Sequence, residues 1–428
     1  VNIVTTNAGT ATAQPIGFVT VTADTGGTAT VNVSGTSVAD MDGTVTADVL
    51  NFSGMTAQAA GTTTADMTGV AFEYVGATGS GTITGSAGDD VLLGDTGEST
   101  NIDGGAGDDT ITGGSAAETI AGGDGDDTIN GGGGADTITG GAGDDGITLG
   151  GTTESVDAGA GDDTVTAAGN LTFGTSIVGG DGTDILSANA AASAPNGSVV
   201  SGFETLSLAT AGTTDLDNFG NNTFATITSG ALGAQTVQSV RSETIQLTGV
   251  VTGDMTLTME DATGTADSAT IELSGTAAVT QTSQVVIADV ETLNLSSVDS
   301  DGNTTDAGIQ HTVLLTADSA TSISVSGSAG LVVAGADIAD VITFDASGLT
   351  LAATDAGVTV DLTYNTVGGT TTITGSGGTD VLTGGSNTSD TMSGGAGVDD
   401  LNYDGGSDSL TGGAGNDVFD INADGTST

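Results

Sequence analysis

Aspartate recurs along this chain at a spacing suited to binding metal ions. Asp90, Asp109, Asp127, Asp145 and Asp163 stand 19, 18, 18 and 18 residues apart, and each closes a glycine-rich hexamer such as "GGAGDD" at 104. If each repeat is one coil of stacked β-strands, these carboxylates form a column with rungs about 4.8 Å apart. At that distance two like charges repel by roughly 0.9 kcal/mol in water and about 3.5 kcal/mol at a partly buried dielectric. A fold stable by about 5 to 15 kcal/mol cannot carry many such pairs. A hard divalent cation removes the difficulty. Ca²⁺ takes about six to eight oxygens, which glycine-rich turns can offer as carbonyls while aspartate supplies charge; Mg²⁺ holds its waters and demands stricter geometry. Folding is then coupled to metal binding.

The elements that must position these carboxylates are short. The hexamers open nonamers of the form G-G-x-G-x-D-x-U-x, where U is a large aliphatic residue. These read "GSAGDDVLL" at 85, "GGAGDDTIT" at 104, "GGDGDDTIN" at 122, "GGAGDDGIT" at 140, "AGAGDDTVT" at 158 and "GGDGTDILS" at 179. A second block carries "GSGGTDVLT" at 375, "GGAGVDDLN" at 394 and "GGAGNDVFD" at 412. Repeats of this kind signal a solenoid. Those at 85, 104, 122, 140 and 158, and those at 375, 394 and 412, are spaced at 18 to 19 residues, so a coil takes two nonamers and has two corners. Between the intact copies lie weaker ones with Glu98, Glu118 and Glu154 at or beside the aspartate position, and one full match, "GGGGADTIT" at 131 with Asp136. One edge therefore carries intact acidic turns and the other mostly altered ones. Each nonamer ends in a short strand, Thr110-Ile111-Thr112 for example, with the isoleucine inward and the threonines outward. Burying that isoleucine contributes roughly 1.5 to 3 kcal/mol, against about 9 to 18 kcal/mol of backbone entropy for nine residues. Strand hydrogen bonds narrow that gap, and bound cations would narrow it further.

Composition agrees. The 428 residues include 74 glycines, 2 prolines, 3% aromatics and no tryptophan, which argues against a large aromatic-centred enzyme interior. Asp and Glu total 55 against one basic residue, Arg241, for a formal net charge of -54. Nucleic acid and anionic lipid are excluded as direct partners, since both need basic groups to displace counterions. Hydrophobic residues make up 36%, many at alternate positions, which favours ordered all-β structure over disorder. There is no cysteine and no apolar run of about 18 residues that would span a membrane as a helix. The start at Val1 without a leader reads as a segment of a longer or processed product.

The nonamers resemble those of the RTX family, secreted calcium-binding proteins whose repeats form a parallel β-roll. That resemblance implies Ca²⁺ ions between successive turns of one edge, held by the sixth-position aspartate and by turn carbonyls. Carried over by position, the ligands are Asp90, Asp109, Asp127, Asp145, Asp163 and Asp184 in the first block and Asp380, Asp399, Asp408 and Asp417 in the second, with Asp136 on the opposite edge.

The chain divides by pattern into four regions. Residues 1–80 are β-rich, either solenoid or sandwich; 81–187 form the first roll block; 188–374 an irregular β-solenoid; and 375–428 the second roll block. The third region repeats the phrases "GFETLSLAT" at 202, "SETIQLTG" at 242 and "VETLNLSS" at 290, whose spacings suggest irregular coils with insertions. Such phrases beside RTX blocks resemble the Caulobacter-type surface-layer proteins of Gram-negative bacteria. The resemblance implies type I secretion, an extracellular cell-surface location and calcium-dependent self-assembly into a lattice, with a cell-surface polysaccharide as anchor through a region outside this chain. The alternative is a rigid extender segment of a large RTX adhesin.

Other candidates are weaker. Asp299, Asp301, Asn303 and Asp306 could wrap a calcium ion or form a plain polar turn, but Gln310 stands where an EF-hand places glutamate. Asp40 and Asp42 form a lesser acidic turn. His311 is the only histidine and reads as a surface or strand residue; Arg241 is expected to pair with Glu243 or a neighbouring coil. Paired carboxylates such as Asp108-Asp109 recur in coil after coil, as ligands do, whereas a catalytic pair occurs once. No enzyme activity is expected.

Overall fold

A computed structural model of the chain describes residues 2–5, 14–15, 30–35, 39–40, 49–55, 71–73, 81–85, 87–94, 99–151, 154–167, 175–188, 199–219, 222–229, 233–241, 243–248, 253–260, 267–300, 309–338, 340–351, 355–361, 370–385, 389–403 and 406–420. These residues are all-β apart from one 3-10 turn at Leu216–Phe219. They fall into two units, Val1–Leu206 with Asn218–Thr223, and Ser207–Asp217 with Phe224–Thr428.

The first unit is a parallel β-solenoid. One sheet runs through Thr100–Ala106, Thr119–Asp124, Thr137–Ala142, Ser155–Ala160 and Ser176–Asp181, each strand parallel to the next. The other runs through Val91–Leu93, Thr110–Thr112, Thr128–Asn130, Gly146–Leu149 and Thr164–Ala167 to Ile185–Ala188, again parallel throughout. Strands within a sheet are one coil apart, so a coil is two nonamers, one strand in each sheet. Register stacks Ile111 on Ile129, Ile129 on Ile147 and Ile147 on Val165, while Ile102, Ile120, Ile138 and Val156 stack across from them. All eight are at most 2% exposed. The alternation seen in "TIT" is thus what turns one aliphatic per strand inward.

Upstream, Asn2–Thr5, Thr30–Gly35, Val49–Met55 and Gly81–Thr84 also pair in parallel, and the last joins Thr100–Ala106. Parallel pairing is solenoid geometry, whereas a sandwich is built from antiparallel sheets.

Glycine sets the corners. Gly105 and Gly107 have φ of 111° and 109°, which L-residues with side chains rarely adopt. A Cβ on Gly107 would also collide with the backbone of Gly88 one coil back. The coil spacing needs the bare backbone at this position.

The second unit has the same plan with a fuller core. One sheet passes through Thr244–Leu247, Ser268–Gly275, Thr292–Asp299, Ser322–Gly327 and Thr343–Leu349, then Thr372–Thr374, Thr391–Ala396 and Ser409–Ala414. The facing sheet passes through Met255–Met259, Thr280–Ile287, Gln310–Thr316, Gly330–Asp337, Ala356–Asp361, Thr379–Thr383, Asp400–Asn402 and Val418–Asp420. Its central strands reach 8 residues and turn two or three aliphatics inward, as Ala269, Ile271 and Leu273 do. Thr244–Leu247 and Thr292–Asp299 flank Ser268–Gly275, so the step from the "SETIQL" phrase to the "VETLNL" phrase covers two coils.

Candidate metal centre

The glycine corners place the sixth-position aspartates where the first sheet turns into the second. Their side chains point inward and form a ladder with the backbone. Oδ1 of Asp109 accepts the N–H of Asp90 at 2.7 Å, and Asp127, Asp145, Asp163 and Asp184 each accept the N–H of the aspartate one coil before, at 2.7 to 2.9 Å. Each of these five carboxylates is at most 2% exposed. The second oxygen is the informative one. Oδ2 of Asp109, Asp127, Asp145, Asp163 and Asp184 is buried with no hydrogen-bond partner. A buried charge left in that state is expensive.

The same oxygens converge on a cradle. A Cβ placed on Gly104 would collide with both Asp109 Oδ2 and the Gly122 carbonyl of the next coil. The pattern repeats at Gly122 with Asp127 Oδ2 and Gly140 O, at Gly140 with Asp145 Oδ2 and Ala158 O, and at Gly179 with Asp184 Oδ2 and Gly202 O. Each of these corners therefore aims a carboxylate oxygen and a carbonyl oxygen into one small space, with no donor for that carboxylate oxygen. Among the described residues no three His, Cys, Asp or Glu side chains converge on a point, so any cation here must draw much of its shell from backbone carbonyls. That is the habit of Ca²⁺.

Electrostatics point the same way. Burial, reinforced by the carboxylates of adjacent coils and opposed by the backbone N–H bond, pushes Asp109 and Asp145 up to about 7 and Asp163 up to about 6. Burial also raises Asp127 and Asp184. A bound cation would reverse these shifts.

A second ladder runs along the outside of this edge in the opposite direction. Asp108, Asp126, Asp144 and Asp162 each donate their backbone N–H to Oδ1 of the fifth-position aspartate one coil earlier, at 2.8 to 3.0 Å. These side chains are exposed.

The second block repeats the inner ladder with one change. Asp399 Oδ1 accepts the Asp380 N–H at 3.0 Å, Asp417 Oδ1 accepts the Asp399 N–H at 3.2 Å, and Asp399 Oδ2 is buried without a partner. Asp380 differs because Ser376 stands at the second position of its nonamer. Ser376 donates its hydroxyl to Asp380 Oδ1 and its N–H to Oδ2, both at 2.8 Å, and Oδ1 also takes the Val358 N–H. Both oxygens of Asp380 thus have donors.

Two kinds of rung lay outside the sequence expectation. Asp390, which closes "GGSNTSD" at 384, accepts the Thr371 N–H at 3.0 Å and the Gly385 N–H at 2.9 Å, and its own N–H goes to Asp408 Oδ1 at 2.8 Å. One extra residue takes it out of the nonamer frame. The glutamates of the E-T-L phrases are the other. Glu204 accepts the Asp184 N–H at 2.8 Å and Glu291 the Asp267 N–H at 2.9 Å. Thr205 and Thr292 bond to the carbonyls of the same two aspartates, as Thr128 does to Asp109. The phrase "E-T-L" is therefore the "D-T-I" of a nonamer without its glycine turn.

The remaining candidates fall away from this column. Arg241 pairs through its side chain with Asp217 and Glu260 on neighbouring coils, and Glu243 takes only its backbone N–H. His311 lies in a strand but is fully buried, not at the surface; its Nδ1 accepts the Val279 N–H at 2.8 Å, so Nε2 carries the proton and donates to Val298 O at 3.0 Å. Burial lowers its pKa. Glu98, Asp42, Asp301, Asn303 and Asp306 lie outside the described residues, and of Asp40 only its place in the strand Ala39–Asp40 is described.

Two parallel sheets joined through glycine-aspartate corners define a calcium-binding β-roll. The RTX calcium-binding nonapeptide repeat (4 copies) matches residues 96–117, 112–147, 366–401, 374–410 and 404–423, so both roll blocks carry RTX calcium-binding repeats. No curated protein matches it.

Proposed function

We propose that this protein is a calcium-stiffened extracellular structural protein, a surface-layer subunit that assembles with copies of itself on the surface of a Gram-negative bacterium. The carrying observation is the column of buried carboxylates whose Oδ2 atoms have no donor and face a carbonyl across a glycine cradle. In this reading the calcium ligands are Asp90, Asp109, Asp127, Asp145, Asp163 and Asp184 in the first block, Asp380, Asp399, Asp408 and Asp417 in the second, and Asp136 on the other edge. Asp380 is the poorest fit, since Ser376 already supplies both of its oxygens with donors.

Calcium bound between coils would replace the carboxylate repulsion with attraction and fix the coil spacing. Extracellular calcium near millimolar suits weak sites of this kind. Where calcium is scarce the same charge would keep the roll unfolded, which suits export of an extended chain. The lattice reading rests on the E-T-L phrases beside two roll blocks, and an anchoring polysaccharide would be met outside this chain. One observation favours the adhesin extender instead: parallel strands stack coil upon coil through each unit, which is a load-bearing plan.

Electron microscopy of the protein in millimolar calcium and after chelation, with circular dichroism on the same samples, tests the reading. Ordered sheets that dissolve on chelation with loss of β signal are expected. Folded but separate particles in calcium would favour the extender, and structure indifferent to chelation would sink the calcium account.

A further inference from the structure

We infer that the second edge of the first roll holds one divalent cation between the coils of Glu118 and Asp136, with both carboxylates as ligands, and that the next rung, at Glu154, is closed without a cation. The inference rests on the calcium reading above and extends it to an edge where glutamate replaces aspartate.

Glu118 is 2% exposed, and neither of its carboxylate oxygens has a hydrogen-bond partner. Asp136 is 1% exposed; its Oδ1 accepts the Glu118 N–H at 2.9 Å, and its Oδ2 has no partner. Three buried carboxylate oxygens across one pair of coils are therefore left without a hydrogen bond, with the backbone N–H groups of Gly114 and Ala116 the nearest donors to Glu118. The corner keeps the carbonyl half of the intact cradle, since a Cβ on Gly113 would collide with the Gly131 carbonyl of the next coil but meets no Glu118 oxygen. The two carboxyls lie side by side.

One coil later the same residue type does the opposite. Glu154 is 3% exposed, but its Oε1 accepts the Gly151 N–H at 2.8 Å and its Oε2 accepts the Asp136 N–H at 3.0 Å. The extra methylene lets this side chain fold back onto its own turn while keeping its place in the ladder. Both oxygens are supplied by backbone donors, and nothing remains to offer a metal.

Native mass spectrometry of the whole chain in calcium counts the ions. Glu118→Gln is expected to bind one Ca²⁺ fewer than wild type and Glu154→Gln the same number. Glu154→Asp tests the logic from the other side and does not depend on Glu118→Gln folding. Its shorter carboxylate leaves the Gly151 N–H, reopens the rung, and raises the count by one. An unchanged count in Glu118→Gln would mean that the pair shares a proton and would overturn the inference, as would a loss in Glu154→Gln or no gain in Glu154→Asp. A wild-type chain that binds no calcium would instead defeat the calcium reading itself.

Discussion

The first roll and the central coils of the second unit reach the same parallel architecture by different means. In the roll a strand such as Thr110–Thr112 turns one aliphatic inward, and the corner buries a carboxylate with an oxygen lacking a donor. In the central coils Thr292–Asp299 turns Leu293, Leu295 and Ser297 inward, and the neighbouring Ser268–Gly275 and Ser322–Gly327 add further aliphatics. At roughly 1.5 to 3 kcal/mol per buried aliphatic, two or three per strand go far toward holding a coil by hydrocarbon alone. One per strand does not. The difference teaches that ions and hydrocarbon are interchangeable supports for the same coil, and that this chain uses each where the other is missing.

Chelation should separate the two regions most sharply. At calcium about a thousandfold above Kd each site contributes about 4 kcal/mol, and the first roll carries a column of them. Hydrogen exchange read by mass spectrometry should show residues 100–188 losing protection when calcium is removed while residues 268–349 keep theirs. Equal loss in both would break the comparison.

Truncating the hydrocarbon core should act the other way. Leu293→Ala is expected to cost about 2 to 5 kcal/mol, by the same amount with and without calcium, as read from the urea midpoint for the second unit. A calcium-dependent cost would show that this coil also leans on ions.

Asp127→Asn sharpens the contrast within the roll. The amide oxygen can still accept the Asp109 N–H, so the ladder stays intact while the charge at the cradle goes. In calcium the variant should be about 2 to 4 kcal/mol less stable through weakened binding. In chelator the sign should reverse to a small gain, because a buried carboxylate with a raised pKa has been removed.

Acid should also divide the regions. Asp109 and Asp145 are held at about 7 and Asp163 at about 6, above the ordinary carboxylate value of about 3.9. Their protonated forms favour the fold, so the calcium-free roll is stabilised fully below about pH 4 and loses that support as pH rises through 6 to 7. His311 has the opposite sign. Burial lowers its pKa, so its coil loses stability as pH falls below about 6.5. Thermal melts in chelator at pH 5 and pH 8, with a histidine NMR titration, read the two effects.

The smallest effect is expected at the one basic residue. Arg241 and its partners Asp217 and Glu260 are each at least a third exposed, so Arg241→Met should change stability by no more than about 1 kcal/mol, measured by denaturant melts.

Much of this plan was legible in the sequence because the roll is periodic. Spacing fixed which aspartates share an edge, and "TIT" fixed which residues point inward. What escaped is aperiodic. Asp390 was hidden by one extra residue in its turn, which a strict nonamer frame rejects although the backbone absorbs it. Glu204 and Glu291 were visible as a phrase, but their place at the corner was not, because the glycines that mark a corner are missing there. Nor could sequence show which carboxylates keep an oxygen without a donor. Asp380 and Asp399 occupy the same motif position, and only the Ser376 hydroxyl and N–H distinguish them.

The opposed directions of the inner and outer ladders carry one more consequence. Each coil of the roll gives a backbone N–H to the aspartate ahead of it on the inside and another to the aspartate behind it on the outside. Along this edge each interface is therefore bridged in both directions, and the stack couples nearest neighbours alone, as in a one-dimensional crystal. Duplicating or deleting an 18-residue unit in the gene would lengthen or shorten the stack without asking any other residue to change, so the reach of this protein is something evolution can tune by copying alone.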